Sequence, residues 1–351
     1  MRELENLKVA IVGGNGFTGA ELYRILESHP RFNVTFVSSE SKSGKFVESN
    51  MRSFAYHKPK KLRFKSIKEL DETYDAIFAC LPTGVLPQYI ESIIPKTKYL
   101  FNVSGDYRLG DTELSHLFYP ETHKYATNFK THYFVPELSE IEKDAKVINL
   151  PGCMAVTSIY SLYPLIKENL VESNIIIDAK TGSSGGGKSS TEHHAERAQN
   201  FRPHKLHGHR HKPEIEHAFG HYLSNQEVDL LFSVYSLSLP RGIMVSSYSK
   251  LKENVSEVDV RKAFYKFYNK QKFIHYFKSN QVGINSPMIK TVVGTNNAEV
   301  GVYIEGRNCV SVASIDNLLK GAAGQAVQAA NLYFDLPEDM GLNLQAEGVW
   351  P

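Results

Sequence analysis

A glycine-rich turn between a strand-like run and a helical run constrains this chain more than any other segment. Residues 9–12 are apolar and mostly β-branched, and they end at Gly13-Gly14-Asn15-Gly16-Phe17-Thr18-Gly19. Apolar residues then recur at helical spacing through Leu26, and residues 32–38 again favour a strand. This order predicts a βαβ unit. Similar alternation up to residue 150 predicts a doubly wound parallel sheet with helices on both faces.

The spacing of the glycines is the dinucleotide fingerprint, Gly14-x-Gly16-x-x-Gly19. Without side chains, the backbone admits a pyrophosphate, and the helix N-terminus supplies amides and a positive dipole. A tight turn without a ligand is the alternative. After the second strand, a single acidic residue stands in a hydroxyl-rich loop with a lysine, which favours NADP over NAD. The predicted cofactor residues are Gly13, Gly14, Asn15, Gly16, Phe17, Thr18, Gly19, Ser39, Glu40 and Ser41.

Composition excludes several classes of protein. The 351 residues predict two or three domains. The 40 basic against 38 acidic side chains give a net charge of +2, which predicts no nucleic-acid partner. No apolar run is long enough for a membrane span, and the polar start predicts no signal peptide. Three cysteines are too few for a disulfide framework and favour a reducing, cytoplasmic location.

A cysteine at a helix start is the strongest candidate nucleophile. Pro151-Gly152 breaks a strand-like run, and Cys153 opens a helical one. The positive end of a helix dipole is expected to lower the pKa of a thiol at that position. Cys80 and Cys309 lie in apolar strand-like runs and are expected to be core residues.

A glycine- and serine-rich loop, residues 181–190, follows another predicted strand. Its amides, its hydroxyls and Lys188 suit an anion, and Ser183 and Ser184 are the predicted phosphate contacts. The loop also matches the Walker A pattern, but residues 189–200 offer only two apolar side chains for a packed helix. A nucleoside-triphosphate site and a plain flexible loop remain alternatives.

Seven histidines fall between residues 193 and 217, without the spacing of a metal site. Pro213 predicts an extended backbone around Gly208-His209-Arg210-His211. An imidazole there would serve as acid or base, and Arg210 would pair with a phosphate or carboxylate. Together with the thiol and a nicotinamide cofactor, these groups suit thiolate attack on an activated acyl group, followed by hydride reduction of the thioester to an aldehyde.

Later strand-like runs, residues 288–293, 298–304 and 309–315, predict neighbours in a mixed sheet, and residues 317–333 predict a last helix. Eight different motifs follow one another along nearly the whole chain. They are residues 13–19, 81–85, 104–109, 135–138, 151–153, 208–211, 240–243 and 315–325. Together they resemble the N-acetyl-γ-glutamyl-phosphate reductase family, a relative of aspartate-semialdehyde dehydrogenase. Thr83 departs from the family, which commonly has a histidine there.

The resemblance implies a Rossmann-type domain (residues 1–152), an α+β catalytic and dimerisation domain with a mixed sheet (153–315) and a C-terminal segment (316–351) whose helix returns to the cofactor domain. It also implies that Cys153 is the nucleophile, that His209 and His211 lie at the active site and that Asn317 contacts the cofactor. Arg108 and Arg210 are expected substrate contacts. A homodimer or homotetramer is implied, with no metal.

Residues 193–198 are similar to the branch of the family whose substrates are attached to an acidic amino-group carrier protein of the LysW type. Its predicted contacts are the cationic side chains Lys188, His193, His194, Arg197 and Lys205. The sequence therefore predicts an NADPH-dependent reductase of carrier-bound glutamyl 5-phosphate or 2-aminoadipyl 6-phosphate. Two alternatives remain open: a reductase of free N-acetylglutamyl 5-phosphate, and a non-catalytic nucleotide-binding redox sensor.

Overall fold

Two sheets organise the chain in the computed structural model, which describes residues 6–50, 62–110, 112–125, 128–188, 194–278 and 285–344. One sheet lies in each of two units. The first unit comprises Met1–Pro136, Glu140–Leu150 and Ala322–Leu342. The second comprises Glu137–Ser139, Pro151–Gly321 and Asn343–Pro351.

The sheet of the first unit is parallel throughout the described residues. Its strands are β1 (Leu7–Val12), β2 (Phe32–Ser38), β3 (Phe64–Lys65), β4 (Tyr74–Ala79), β5 (Thr97–Asn102), β6 (Thr131–Tyr133) and β7 (Val147–Asn149). They lie in the order β3-β2-β1-β4-β5-β7-β6, and every neighbouring pair runs parallel. The predicted doubly wound sheet is confirmed. Its strand order reverses beside β1, where such sheets bind ligands.

The second sheet is mixed, as predicted. Its described strands are β8 (Asn174–Thr181), β9 (Arg202–Lys205), β10 (Asp229–Ser236), β11 (Ile243–Lys250), β12 (Ile274–Phe277), β13 (Ala298–Glu305) and β14 (Asn308–Ile315). The order is β12-β13-β14-β11-β8-β10-β9. Strand β8 pairs in parallel with β10, and β12 with β13, whereas the other pairs are antiparallel.

The α-helices of the described chain are α1 (Phe17–Glu27), α2 (Leu86–Ile93), α3 (Glu113–Phe118), α4 (Cys153–Lys167), α5 (His194–Arg197), α6 (His211–His217), α7 (Glu257–Tyr268), α8 (Ile289–Val292) and α9 (Gly324–Tyr333). Helix α9 belongs to the first unit, where the ring of Tyr333 packs edge-on against Tyr99 and Phe101 of β5. Within the described ranges, no helix has the length and apolar character needed to cross a membrane.

One predicted strand is wrong. Residues 288–293 were expected to pair with the sheet, but Ile289–Val292 form the short helix α8. Gly294 follows at φ +84°, and its N–H donates to Asp316 Oδ2 at 2.8 Å, which ends the helix. A short apolar run has the same pattern in a buried strand and in one helical turn, so periodicity alone could not separate them.

Helix α4 is the central helix of the second unit and is buried from Met154 to Ile166. Pro164 lies inside it and has no N–H to donate to the carbonyl oxygen of Tyr160, four residues earlier. Tyr268 OH on α7 donates to that oxygen instead, at 2.7 Å. The proline is therefore tolerated, and α4 holds Cys153 at its first position.

Candidate active site

The glycine turn of the first unit is open at Gly16, the N-cap residue of α1. A Cβ at Gly13 would meet the carbonyl oxygen of Cys80 at 2.6 Å, and one at Gly14 would meet Val37 Cγ1 at 2.2 Å. A Cβ at Gly16 would meet nothing closer than 3.9 Å. The open position therefore fits the close approach of a pyrophosphate. The same turn contains the other predicted cofactor residues, Asn15, Phe17, Thr18 and Gly19.

The tip of β2 carries the three residues predicted to choose between cofactors. Ser39 is buried, whereas Glu40 and Ser41 are exposed. Glu40 Oε1 accepts a hydrogen bond from the Ile67 N–H at 2.8 Å, and Glu40 Oε2 accepts one from Ser66 Oγ at 2.9 Å. Both oxygens of this carboxylate are therefore engaged within the first unit.

Arg108 is buried in the first unit, where its Nη2 donates to the carbonyl oxygen of Val103 at 2.8 Å. Tyr107, just before it, has φ +67°, a left-handed conformation that costs a tyrosine about 1–3 kcal/mol. Asn149 Nδ2 stabilises this bend by donating to the carbonyl oxygen of Tyr107 at 2.8 Å. The structure therefore fixes Arg108 rigidly, and its contact with substrate stays a prediction.

Cys153 differs from the other two cysteines. Burial raises the pKa of Cys80 to about 12 and that of Cys309 to about 11, so both are inert thiols at neutral pH. Cys80 and Cys153 are both partly exposed, but Cys153 lies at the first position of α4, next to the N-cap Gly152. The positive end of the helix dipole favours negative charge there. Of the three, Cys153 is placed to react.

Glu214 was missed by the sequence analysis, and the structure places it beside Gly152, the residue before Cys153. Its side chain is fully buried on α6. Oε1 accepts a hydrogen bond from the Gly152 N–H at 2.7 Å, and Oε2 lies 4.0 Å from His211 Nε2. One carboxylate therefore connects the residue before Cys153 to one of the two predicted imidazoles.

The predicted extended conformation around His209 and His211 is wrong at its second half, because α6 begins at His211. Pro213 is tolerated in the first turn of a helix, since its missing N–H would have no intrahelical partner there. Both imidazoles are buried, with ring centroids 4.8 Å apart. The His211 N–H donates to His209 Nδ1 at 3.1 Å. A neutral His209 therefore carries its proton on Nε2.

Acid is expected to destabilise this protein through His209. Burial, together with the cationic Arg210 and Lys205, lowers its pKa from 6.5 to about 3. Between pH 6.5 and 3 the unfolded chain binds a proton that the folded chain does not, so stability falls as pH falls through this range. His209→Asn keeps an acceptor oxygen, and its urea midpoint should fall less between pH 7 and pH 5. Exposed His207→Asn is the control; an equal loss in all three proteins contradicts the assignment.

The sequence predicted that the backbone amides of the loop after β8 are available to an anion, but two of them are bonded to another segment of the backbone. The amides of Ser183 and Ser184 donate to the carbonyl oxygens of Leu239 and Pro240, at 2.8 and 3.0 Å. Asn317 Nδ2 donates to Ser184 Oγ at 2.9 Å. A phosphate contact by Ser183 or Ser184 stays a prediction. Ser183–Gly186 form a single 3₁₀ turn within the loop, and residues 189–193, where the helix of a Walker A motif would begin, lie outside the described residues.

Asn317 was predicted to contact the cofactor, and the structure shows it bonded within the second unit. Its Oδ1 accepts from the Gly242 N–H at 2.8 Å, while its Nδ2 holds Ser184. The side chain therefore joins two loops of the second unit. A cofactor contact by Asn317 stays a prediction.

The predicted carrier contacts are only partly described. His193 lies outside the described residues, as does the side chain of His194. Arg197 Nη2 donates to the carbonyl oxygen of Ser183 at 2.6 Å, so it contributes to the loop itself. Lys188 and Lys205 are exposed, as is Arg210, which was predicted to contact the substrate. Within the described residues, no three metal-ligating side chains come together.

Two family models match the two units in turn. The model described as the NAD-binding domain of semialdehyde dehydrogenase matches residues 8–145, and the model described as the dimerisation domain of semialdehyde dehydrogenase matches residues 153–317. Among solved structures, aspartate semialdehyde dehydrogenase II of Vibrio cholerae shares the fold with a TM-score of 0.72. It covers 95% of this chain and 99% of its own, at 14% identity.

Two groups of full-length relatives match the chain. N-acetyl-gamma-glutamyl-phosphate reductase 1 of Lactiplantibacillus plantarum is 49% identical over 348 residues, which cover 98% of this chain and all of that protein. The [LysW]-L-2-aminoadipate/[LysW]-L-glutamate phosphate reductase of Sulfurisphaera tokodaii is 37% identical over 350 residues, covering 96% of this chain and 98% of its own.

Proposed function

The chain belongs to the N-acetyl-γ-glutamyl-phosphate reductase family of semialdehyde dehydrogenases, and from this membership we propose that it reduces free N-acetyl-γ-glutamyl phosphate to the semialdehyde. The coarser activity is that of the family: an NAD(P)-dependent oxidoreductase that converts an acyl phosphate to a semialdehyde in arginine or lysine biosynthesis. The 49% identity over full length to a relative named for the free acetylated substrate carries the proposal. Family membership also favours an enzyme over the redox sensor.

Cys153 is the nucleophile in this proposal. Its thiolate attacks the acyl carbon and forms a thioester on Cys153. The bond between the acyl carbon and the bridging oxygen breaks, and phosphate leaves with that oxygen. When bound, the nicotinamide cofactor supplies the hydride that reduces this thioester to the aldehyde and releases the thiolate. The thiolate is favoured by the helix start. The departing phosphate accepts a hydrogen bond from the Ser184 hydroxyl, which Asn317 orients.

His211 moves the proton and His209 donates a hydrogen bond. His209 is neutral at physiological pH because burial lowers its pKa to about 3, and its Nδ1 is engaged by the His211 N–H. Its Nε2–H is therefore a donor for a substrate oxygen. His211 lies beside Glu214, whose carboxylate stabilises the charge of an imidazole that accepts a proton. Accepting the thiol proton from Cys153 is the role we assign to His211.

NADP(H) is the proposed cofactor, held by the glycine turn. An acidic residue at the tip of the second strand would bind the ribose hydroxyls of NAD. Glu40 occupies that place, but Ser66 and Ile67 engage both its oxygens. The remaining tip side chains, the hydroxyl of Ser41 and the ammonium of Lys42, suit a 2′-phosphate.

The carrier-bound substrate that the sequence favoured has less support than the free one. Three LysW-type relatives match at 34–37% identity, and Arg197 is bonded to the loop. We expect kcat/KM to be at least about tenfold higher on free N-acetyl-γ-glutamyl phosphate than on the carrier-bound acyl phosphate. The two substrates differ in the group on the α-amino nitrogen, and a site that fits one of these groups binds the other less well. NADPH oxidation and phosphate release measure both. Equal or better turnover of the carrier-bound substrate would restore the earlier hypothesis.

The second unit also offers a surface for self-association. Leu231, Ile176 and Tyr248 lie opposite one another on β10, β8 and β11, and each is more than 40% exposed. Exposed apolar rows of this kind mark interfaces. The matching family model is described as a dimerisation domain, which supports a homodimer through this face. Light scattering of the purified protein separates a monomer, a dimer and a tetramer.

A further inference from the structure

The second unit contains a fully buried ion pair between Lys320 and Glu137. Glu137 Oε2 also accepts a hydrogen bond of 2.6 Å from Tyr160 OH on α4. Lys320 Nζ lies 5.3 Å from the ring centroid of Phe273 and 5.7 Å from that of Tyr160. Desolvating two charges costs about as much as their attraction returns, so an apolar pair of similar size would stabilise this core equally well. Stability alone does not account for the pair.

Lys320 directly precedes Gly321, which packs against the nucleophile. A Cβ at Gly321 would lie 2.7 Å from Cys153 Cβ and 3.2 Å from Cys153 Cα. The other end of this segment is fixed by Asp316, whose Oδ1 accepts from the N–H groups of Leu318 and Leu319 at 2.8 and 3.2 Å. Residues 316–321 therefore form a segment that is held at both ends. The ion pair lies at the end that packs against Cys153.

Glu137 contacts the same helix a second time through Tyr160. Tyr160 follows Cys153 by seven residues, about two turns of α-helix, so the two lie on one face of α4. The ion pair thus connects a residue bonded to α4 at Tyr160 with the segment that packs on α4 at Cys153. A slide or rotation of α4 against residues 316–321 would break one of these contacts.

We propose that the Lys320–Glu137 ion pair is a positioning element for the Cys153 thiol, which it aligns for attack by fixing Gly321 and α4 relative to each other. The inference rests on the proposed function, because it takes Cys153 as the nucleophile. A misplacement of about 1 Å at a reacting atom lowers the rate about 10²-fold without a matching loss of binding.

The double variant Lys320→Met with Glu137→Gln tests the proposal. It removes both charges and keeps an oxygen that accepts from Tyr160 OH. We expect kcat for the acyl phosphate to fall about tenfold to a hundredfold, with KM changed by less than about threefold. Alkylation of Cys153 by iodoacetamide needs no alignment and should keep its rate. Ser161→Ala is the matched control, because it removes a buried hydrogen bond of 2.7 Å to Ser247 from the same helix. Its kcat should stay within about twofold of wild type.

The proposal is overturned if the double variant has the kcat of the wild type and circular dichroism shows that it is folded at the assay temperature. If that variant does not fold, Glu137→Asp provides the test: it keeps both charges, shortens the side chain by one methylene and should still lose about tenfold in kcat. Wild-type kcat there has the same consequence. Cys153→Ser, assayed in parallel, tests the proposed function. Turnover without the thiol refutes that function, whereas lost turnover beside an unaffected double variant refutes only the positioning role.

Discussion

Replacing Cys153 with serine is expected to lower kcat at least about 10⁴-fold and to leave NADPH binding unchanged. A serine hydroxyl is not ionised at neutral pH, even at a helix start, so it forms no acyl intermediate at a useful rate. The glycine turn lies in the first unit and is packed against Cys80 and Val37 of that unit. Dinucleotide binding there does not depend on a sulfur in α4. Turnover is measured by NADPH oxidation, and binding by NADPH fluorescence.

Cys309→Ser is the control for this prediction. Cys309 is buried on β14, and its pKa of about 11 makes it an inert thiol. Its replacement should leave kcat within about twofold, since it takes no part in the chemistry. Iodoacetamide near neutral pH should label wild type and Cys309→Ser equally, and Cys153→Ser hardly at all. Full turnover in Cys153→Ser would remove the covalent mechanism.

Local signals were enough to predict the glycine turn and the place of Cys153 at a helix start. Gly13 has φ +87° and contacts the Cys80 backbone, and both properties demand glycine, which the motif records directly. Cys153 follows Pro-Gly at the start of a long apolar helix, so its place at an N-terminus could be predicted from neighbouring residues. Strand alternation likewise predicted both sheets.

Glu214 was missed because of one wrong conformation. In an extended segment, residues three apart point to opposite faces, so Glu214 could not face His211. In α6 they lie on the same face. The bond from Gly152 to Glu214 spans 62 positions, and the ion pair of Lys320 with Glu137 spans 183. No local pattern records contacts between residues so far apart in sequence, and only the fold brings these groups to Cys153.

Replacing Glu214 with glutamine is expected to lower kcat about 10²-fold with little loss of stability. The carboxylate accepts a hydrogen bond from the Gly152 N–H and places a negative charge beside His211, and glutamine removes only the charge. Glutamine keeps an oxygen that accepts from the Gly152 N–H, so α4 still begins correctly. It carries no charge to stabilise an imidazolium at His211, 4.0 Å away in the wild-type protein. Glu214→Ala should lose more activity and about 1–3 kcal/mol of stability, because it also leaves a buried N–H without an acceptor. Kinetics and urea unfolding measure the two effects.

Glu216→Gln is the matched control on the same helix. Glu216 pairs with Lys212 and accepts a hydrogen bond from the Leu230 N–H at 3.2 Å, so its replacement also removes one negative charge from α6 and keeps an acceptor. Its kcat should stay within about twofold of wild type, since Glu216 bonds to Lys212 and to the Leu230 backbone rather than to an imidazole of the site. If Glu214→Gln also keeps wild-type kcat while Glu214→Ala loses stability, the carboxylate only caps α4. His211 would then move its proton without help from a neighbouring charge.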